Sequence, residues 1–256
     1  MRSFNTLLVL LLALASARGE WAVESTQADL SRGGLVEHRR LVLREGEARA
    51  TVDLAIFSPQ EATLRVIDNA NGSDSLADAM QRGDCIAGVN GGYFDPADAP
   101  IGLMISDGRL VAPQQKARLL GGVVTVLDGR VQIRRSAEFT MDKRLRAARQ
   151  CGPFLVDGGK AVAGLNDTRA ARRTFVATSG KQHALIGFCS AVTLAQLGDL
   201  LAAVELAPQT KIQRALNLDG GSSSGFWFAG AHDIFSVRER KTVRDFVAIV
   251  ALPPRP

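Results

Sequence analysis

The chain has 256 residues, a formal net charge of +5 at pH 7, 46% hydrophobic residues and 22% charged residues. These are ordinary values for a globular protein, and they exclude a mainly disordered chain. The basic residues are scattered and are not interleaved with aromatic ones, so the positive charge does not indicate a nucleic-acid partner. We therefore predict a folded protein that does not bind nucleic acid.

The N-terminal segment has the pattern of a cleavable signal peptide. An apolar run over residues 7–15 leads into Ala15-Ser16-Ala17, the small-x-small pattern that signal peptidase recognises. The run is too short for a retained transmembrane helix, and no later stretch reaches the required length. We expect a signal peptide at 1–17, one domain at 18–256, a periplasmic or secreted mature protein, and no stable membrane insertion after cleavage.

In the first hundred residues, apolar periodicity predicts two strands that pair early, a short helix and a buried strand. These elements are the strands Thr51–Phe57 and Thr63–Ile67, a helix that is capped by Asp74 or Ser75 and ends at Gly83, and the strand Cys85–Val89. The buried strand leads directly into Asn90-Gly91-Gly92.

The rest of the chain predicts hairpins, one longer helix and further strands. Asp-Gly pairs at 107, 128 and 157 separate short apolar runs, the pattern of two-residue turns between antiparallel strands. Thr193 and Gln196 resemble a capping box and predict a helix after them. Further strands are predicted at Thr174–Thr178, Ala184–Cys189, Ala215–Leu218, Phe226–Phe228 and Phe246–Val250. The predicted fold class is α+β, a mixed, mostly antiparallel sheet with few helices in a single domain.

The cysteines and histidines do not form a recognisable metal site. Cys85, Cys151 and Cys189 lie outside any CxxC spacing, and no cluster of His and Asp ligands occurs, so we predict no metal and no cofactor. In an oxidising compartment at most one intramolecular disulfide forms, and Cys151 with Cys189 is the preferred pair. Three histidines without a partner motif are expected at the surface: His38, His183 and His232.

Two glycine-rich segments follow predicted strands and contain more glycine, polar and aromatic residues than a tight turn requires. In Asn90-Gly91-Gly92-Tyr93-Phe94-Asp95, the two aromatic rings are suited to stacking on a sugar ring. The alternative is an ordinary loop that folds back on the core. In Asp219-Gly220-Gly221-Ser222, successive glycine amides favour an anion. Arg173 precedes another strand. It is either a solvated surface charge or a bidentate hydrogen-bond donor to a phosphate. We predict that these three strand ends converge.

Five segments resemble, in order and spacing, those of the phosphodiester glycosidase family. They are Asn90–Phe94, Gly102–Gly108, Cys151–Val156, Arg173–Thr174 and Asn217–Ser223. The resemblance extends over about residues 50–250. It implies hydrolysis of a sugar-1-phosphodiester, which we place in an envelope polysaccharide or glycoconjugate. A non-catalytic carbohydrate-binding module of the same fold is the alternative.

The resemblance also assigns roles to matching positions. It implies catalytic roles for Asp219, Arg173 and Asn90, and the need for a second carboxylate adds Asp95 from the residues themselves. Substrate-binding positions are expected at Gly91, Gly92, Tyr93, Thr174, Gly220, Gly221 and Ser222. Ser222 stands where the commoner form of the family's motif has a third glycine.

Overall fold

The computed structural model describes residues 20–180, 182–208 and 210–253. The predicted signal peptide at 1–17 lies outside the described residues. Within them, no helix combines the length and the apolar character that are needed to cross a bilayer.

The described residues form two short α-helices and eighteen strands. In chain order these are β1 (Ala22–Leu30), β2 (Val36–Glu45), β3 (Ala48–Phe57), β4 (Ala62–Asp68), α1 (Leu76–Arg82), β5 (Ala87–Asn90), β6 (Met104–Ser106), β7 (Arg109–Ala112), β8 (Gly122–Leu127), β9 (Arg130–Arg135), β10 (Leu145–Cys151), β11 (Phe154–Asp157), β12 (Lys160–Ala161), β13 (Ala171–Ser179), β14 (His183–Val192), α2 (Leu194–Ala203), β15 (Arg214–Asn217), β16 (Phe226–Ala229), β17 (Ile234–Val237) and β18 (Asp245–Ala251). The predicted α+β class, mostly antiparallel with few helices, is confirmed.

The strands form three antiparallel sheets. The first has the order β1-β2-β3-β14-β13-β15-β11-β12, the second β7-β6-β10-β8-β9, and the third β17-β16-β5-β18-β4. One apolar core is shared by all three sheets and includes Phe57, Phe154, Phe226 and Val247. Because the sheets meet around this core, loops from different sheets lie next to one another at its edges.

Each helix covers the face of a sheet that points away from the shared core. Leu197, Leu200 and Leu201 of α2 are buried against the first sheet, and α1 packs against Trp227 and Phe246 of the third. The capping box predicted at Thr193 and Gln196 is confirmed at the start of α2, and of the two cap candidates for α1 it is Ser75 that caps the helix, in a capping box with Asp78.

The Asp-Gly turns were predicted correctly at two of three sites. Asp107 and Asp128 have φ angles of 49° and 50°, and the glycine after each is also left-handed, as a two-residue hairpin turn requires. At the third site the turn lies one residue later. Asp157 is still in β11, paired with Lys160, and Gly158-Gly159 form the turn.

Four strands were not predicted, because their sequences do not alternate between apolar and polar residues. All nine residues of β1 are exposed, so this strand has no buried face to mark it. Polar or charged residues interrupt the pattern in β2, β10 and β17. In β10 two of these residues, Arg149 and Gln150, are fully buried, and each is satisfied by several hydrogen bonds.

The expectation that all histidines lie at the surface is wrong for His38. Its ring is buried, stacks 4.6 Å from Phe235, and places Nε2 3.1 Å from Asp53 Oδ1. A buried carboxylate provides the polar partner that the ring needs inside the core. His183 is half-buried with Nδ1 3.3 Å from Thr210 Oγ1, and His232 is exposed.

The preferred disulfide between Cys151 and Cys189 does not form. All three cysteines are buried free thiols. Cys151 on β10 belongs to the core shared by the sheets, whereas Cys189 on β14 faces the core beneath α2. Burial raises the pKa of both thiols to about 12, so they stay protonated and act as small apolar side chains.

Candidate active site

Three segments that are far apart in sequence meet through hydrogen bonds of the buried side chains of Asn90 and Thr174. Asn90, at the end of β5, donates from Nδ2 to the carbonyl oxygen of Asp219 at 2.8 Å. Thr174 Oγ1, on β13, lies 2.8 Å from both Asn90 Oδ1 and the same carbonyl. The predicted convergence is confirmed, and the site lies where the first sheet meets the third.

The Asp219 carboxylate is half-buried and held at both oxygens. Oδ1 accepts a hydrogen bond from the Gly220 amide at 2.9 Å, and Oδ2 accepts one from the Ser223 hydroxyl at 2.5 Å. Burial raises the pKa of this carboxyl above its ordinary value, and the Ser223 hydrogen bond and the charge of Lys241 oppose that rise. A fixed carboxyl with a raised pKa is suited to exchanging protons with a reacting group.

The loop after Asp219 is open at Gly221. Gly221 begins a single 3₁₀ turn, Gly221–Ser223, with a φ of 69°, and a Cβ atom built there would meet nothing within 4 Å. Ser222 is exposed. Within the described residues, the amides of Gly221 and Ser222 have no hydrogen-bond acceptor. They are therefore available to an anion outside the protein.

The glycines after Asn90 have no free amide and no free space beside them. The Gly91 amide donates to the Asp245 carbonyl at 2.7 Å, and the Gly92 amide donates to Asp245 Oδ1 at 3.2 Å. A Cβ atom on Gly91 would lie 1.7 Å from Asp245 Oδ1, and one on Gly92 would lie 2.4 Å from Arg149 Cζ. Both amides are engaged inside the protein, and the missing side chains leave room for a buried ion pair.

That ion pair, Arg149 with Asp245, was not predicted from the sequence. Both side chains are fully buried, and Arg149 Nε lies 3.0 Å from Asp245 Oδ1 while Nη2 lies 3.0 Å from Oδ2. The guanidinium also donates to the carbonyl oxygens of Tyr93 at 2.7 Å and Ile101 at 2.9 Å. The pair therefore supports the backbone of the loop that follows Asn90. The signal in the sequence was the glycine pair itself.

The two aromatic residues of this loop have different surroundings. Tyr93 donates from its hydroxyl to the Gly152 carbonyl at 2.6 Å, and Asn217 Nδ2 donates to that carbonyl at 3.0 Å. Burial raises the pKa of Tyr93, so its hydroxyl stays neutral. The ring of Phe94 instead has Lys241 Nζ 4.5 Å from its centroid.

Arg173 is mostly engaged with backbone carbonyls. Nε donates to the Val192 carbonyl at 3.2 Å, and Nη2 donates to the Arg169 carbonyl at 2.8 Å. The remaining nitrogen, Nη1, faces the Asp219 loop, since a Cβ atom on Gly220 would lie 3.4 Å from it. The guanidinium therefore presents one nitrogen, rather than a full fork, toward the site.

Asp95 makes its hydrogen bonds within its own loop. Its Oδ1 accepts hydrogen bonds from the amides of Ala97 at 2.8 Å and Ala99 at 2.9 Å, so the side chain caps its own loop. None of the described hydrogen bonds or ion pairs joins it to Asp219. The structure thus brings Asn90, Thr174 and Asp219 together, with Tyr93 and Arg173 beside them, and the role of Asp95 as a second carboxylate stays a prediction.

Comparison with known proteins places this site in a family. A family model described as phosphodiester glycosidase matches residues 83–250, which include all of the residues that converge. The chain belongs to the phosphodiester glycosidase family. The resemblance carried by the five sequence segments is therefore confirmed.

Solved structures of low sequence identity have a similar fold. The chain is similar to a zebrafish N-acetylglucosamine-1-phosphodiester α-N-acetylglucosaminidase catalytic domain auto-inhibited by pro-peptide, with a TM-score of 0.65, 14% identity, and coverage of 94% of this chain and 97% of that one. It is also similar to a hypothetical protein from Synechocystis, with a TM-score of 0.55, 12% identity, and coverage of 84% and 62%. At these identities the likeness concerns the fold alone.

In sequence, the chain is 31% identical over 128 residues to the uncharacterized protein YigE of Escherichia coli (strain K12). The match covers 43% of this chain and 48% of that protein. The chain thus matches about half the length of this curated relative.

Proposed function

We propose that this phosphodiester glycosidase family member is an exported hydrolase that cleaves the sugar–phosphate bond of a sugar-1-phosphodiester in an envelope polysaccharide or glycoconjugate. The observation that carries the proposal is the Asp219 loop, in which a half-buried carboxylate of raised pKa is followed, after Gly220, by the two open amides of Gly221 and Ser222. The signal-peptide pattern at 1–17 supports export to the periplasm or the medium.

The reaction consists of one bond broken and one bond formed. The bond between the anomeric carbon and the phosphate oxygen breaks, and the phosphate leaves with the electron pair. Water adds to the anomeric carbon and gives up a proton. A phosphate monoester is a good leaving group, so the protein's work is to stabilise the positive anomeric carbon, activate water and bind the phosphate.

Asp219 is the residue proposed for the first two of these. In its ionised form it stabilises positive charge at the anomeric carbon, or it accepts the proton of the attacking water. Asn90 and Thr174 fix the backbone of Asp219, and Ser223 fixes its carboxylate. A nucleophilic or basic group held at this many points loses little entropy when substrate binds.

The phosphate is proposed to bind at the open end of the same loop. The amides of Gly221 and Ser222 and the Nη1 group of Arg173 supply hydrogen-bond donors there. Gly91 and Gly92 contribute indirectly, because they allow the buried ion pair to support the loop that carries Tyr93.

The test is turnover by the Asp219→Asn variant. The purified mature protein is assayed against a panel of sugar-1-phosphodiesters, and release of the free sugar is measured. We expect turnover at least about a hundredfold slower for Asp219→Asn, because the swap keeps the size of the side chain and removes its charge. Binding of an uncleaved analogue is retained or improved, because a carboxylate next to a phosphodiester repels it.

The matched control is Asp95→Asn, a carboxylate in the same region that caps its own loop. It is expected to retain most of the parent's turnover. Loss of turnover in the Asp95 variant alone would move the catalytic role to that residue. Binding of sugar phosphates without turnover by the parent protein would indicate the alternative, a carbohydrate-binding module of the same fold.

A further inference from the structure

A charged segment, Arg238–Lys241, lies against the Asp219 loop and is not explained by the roles above. The Arg240 amide donates to the Ser222 carbonyl at 2.7 Å. Arg172 Nη2 donates both to the Ser224 carbonyl and, at 2.7 Å, to the Arg238 carbonyl. The 238–241 segment is therefore attached through its backbone to the loop that carries Asp219.

The far side of the segment is also anchored. Glu239 Oε1 accepts a hydrogen bond from the Leu76 amide at the start of α1, at 2.8 Å. With Glu239 held there and Arg240 held at Ser222, the position of Lys241 is set by fixed neighbours on both sides. A lysine placed in this way is not a charge on a loose surface loop.

Lys241 lies between the two loops of the site. Its Nζ lies 4.5 Å from the centre of the Phe94 ring, on the loop after Asn90. Its charge also reaches Asp219. Within the described part of the chain, no carboxylate lies within ion-pair distance of its ammonium group. The cation rests on an aromatic face, which attracts it but leaves its three N–H donors available.

The site needs such a cation. The substrate phosphodiester carries a negative charge, whereas Arg173 has committed Nε and Nη2 to carbonyls and offers one nitrogen. An ammonium on a flexible stem acts as a point charge that can follow the phosphate as its charge grows during bond cleavage. We infer that Lys241 binds the phosphate of the substrate together with the Gly221 and Ser222 amides, and so selects sugars linked to an anionic group.

This inference rests on the proposed function, and a pair of variants tests it. Lys241→Met removes the charge and keeps most of the stem. Arg240→Met removes a neighbouring charge while the Arg240 amide still holds Ser222. The parent and both variants are assayed with a sugar-1-phosphodiester and with a neutral aryl glycoside of the same sugar. We expect Lys241→Met to lower kcat/KM for the phosphodiester about tenfold or more, relative to the neutral glycoside. Arg240→Met should leave that ratio unchanged.

Binding of inorganic phosphate, measured by calorimetry on the same three proteins, separates this inference from the proposed function. Weaker phosphate binding by Lys241→Met alone supports the inference even if the parent hydrolyses no substrate of the panel, a result that would count against the proposed function only. Equal phosphate binding by all three proteins, or none by the parent, overturns the inference. An equal loss in both variants would also overturn it, because it would indicate general attraction by the basic surface.

Discussion

The two glycine pairs of this molecule look alike in sequence and do opposite things. Gly91-Gly92 and Gly220-Gly221 each follow a buried strand and a polar residue, Asn90 or Asp219. The amides of the first pair are both used inside the protein, and its missing side chains make room for Arg149 and Asp245. The second pair faces open space at Gly221. A glycine in such a segment thus indicates that other atoms come close to its backbone. Only the structure shows whether the protein itself occupies that space or leaves it free for a ligand.

The ion pair behind the first glycine pair provides the largest expected effect. Arg149→Met is expected to lower the free energy of unfolding by about 3–5 kcal/mol, because it leaves the Asp245 charge buried without a partner. Urea unfolding measures this. Arg144→Met is the control, since Arg144 is exposed and pairs with exposed Asp128 and partly buried Asp142. It should change stability little. Similar midpoints for both variants would contradict a supporting role for the buried pair.

Alanine substitutions compare the two glycine pairs directly. Gly91→Ala should lower stability by about 3 kcal/mol, because its Cβ atom has no room beside Asp245. Gly221→Ala should lower it by only about 1–2 kcal/mol, the penalty for a left-handed φ of 69° where space is open. Thermal unfolding of the two variants checks the order. The reverse order would mean that the closed and open segments have been assigned the wrong way round.

The smallest expected effect is a shift in the pH profile. The Ser223 hydroxyl donates to the carboxylate of Asp219 and so lowers the pKa of that group. Ser223→Ala removes the bond, so the pKa rises further above its ordinary value. If the ionised form is active, the acidic limb of the pH–rate profile moves to higher pH, while the rate well above that pKa changes less. The exposed Ser222→Ala is the control, and an unmoved limb in Ser223→Ala would contradict the role of that hydroxyl.

Much of the fold could be predicted because local signals agree with it. The capping boxes at Ser75 and Thr193 fix helix starts, and the left-handed Asp-Gly turns fix hairpins. The strand β10 could not be predicted, because its buried Arg149 and Gln150 look like surface residues until their partners are known. Those partners come from distant parts of the chain, and periodicity within one segment carries no information about them.

For the same reason, some residues of the candidate site could be predicted from the sequence and others could not. Asn90, Thr174 and Asp219 could be singled out, because polar residues at the ends of buried strands are unusual and because the family resemblance marks them. Asp245 and Lys241 could not be singled out, since the role of each depends on a contact with a loop distant in sequence. Asp95 was chosen for its chemical type, and the structure shows its carboxylate accepting hydrogen bonds from the amides of its own loop. Residue type alone does not predict such contacts.

The position of Asp245 has a consequence for the order in which the contacts of the candidate site can form during synthesis. It lies at the start of β18, the last strand described, which pairs with β5 along Asn90. A growing chain therefore contains Asn90, Thr174 and Asp219 before it contains the carboxylate that holds Gly91 and Gly92. Contacts between such distant residues form late, after the cost of closing a long loop has been met. The two loops of the candidate site therefore lack this support until Asp245 has been synthesised, and a chain truncated before Asp245 would leave the amides of Gly91 and Gly92 without their acceptors.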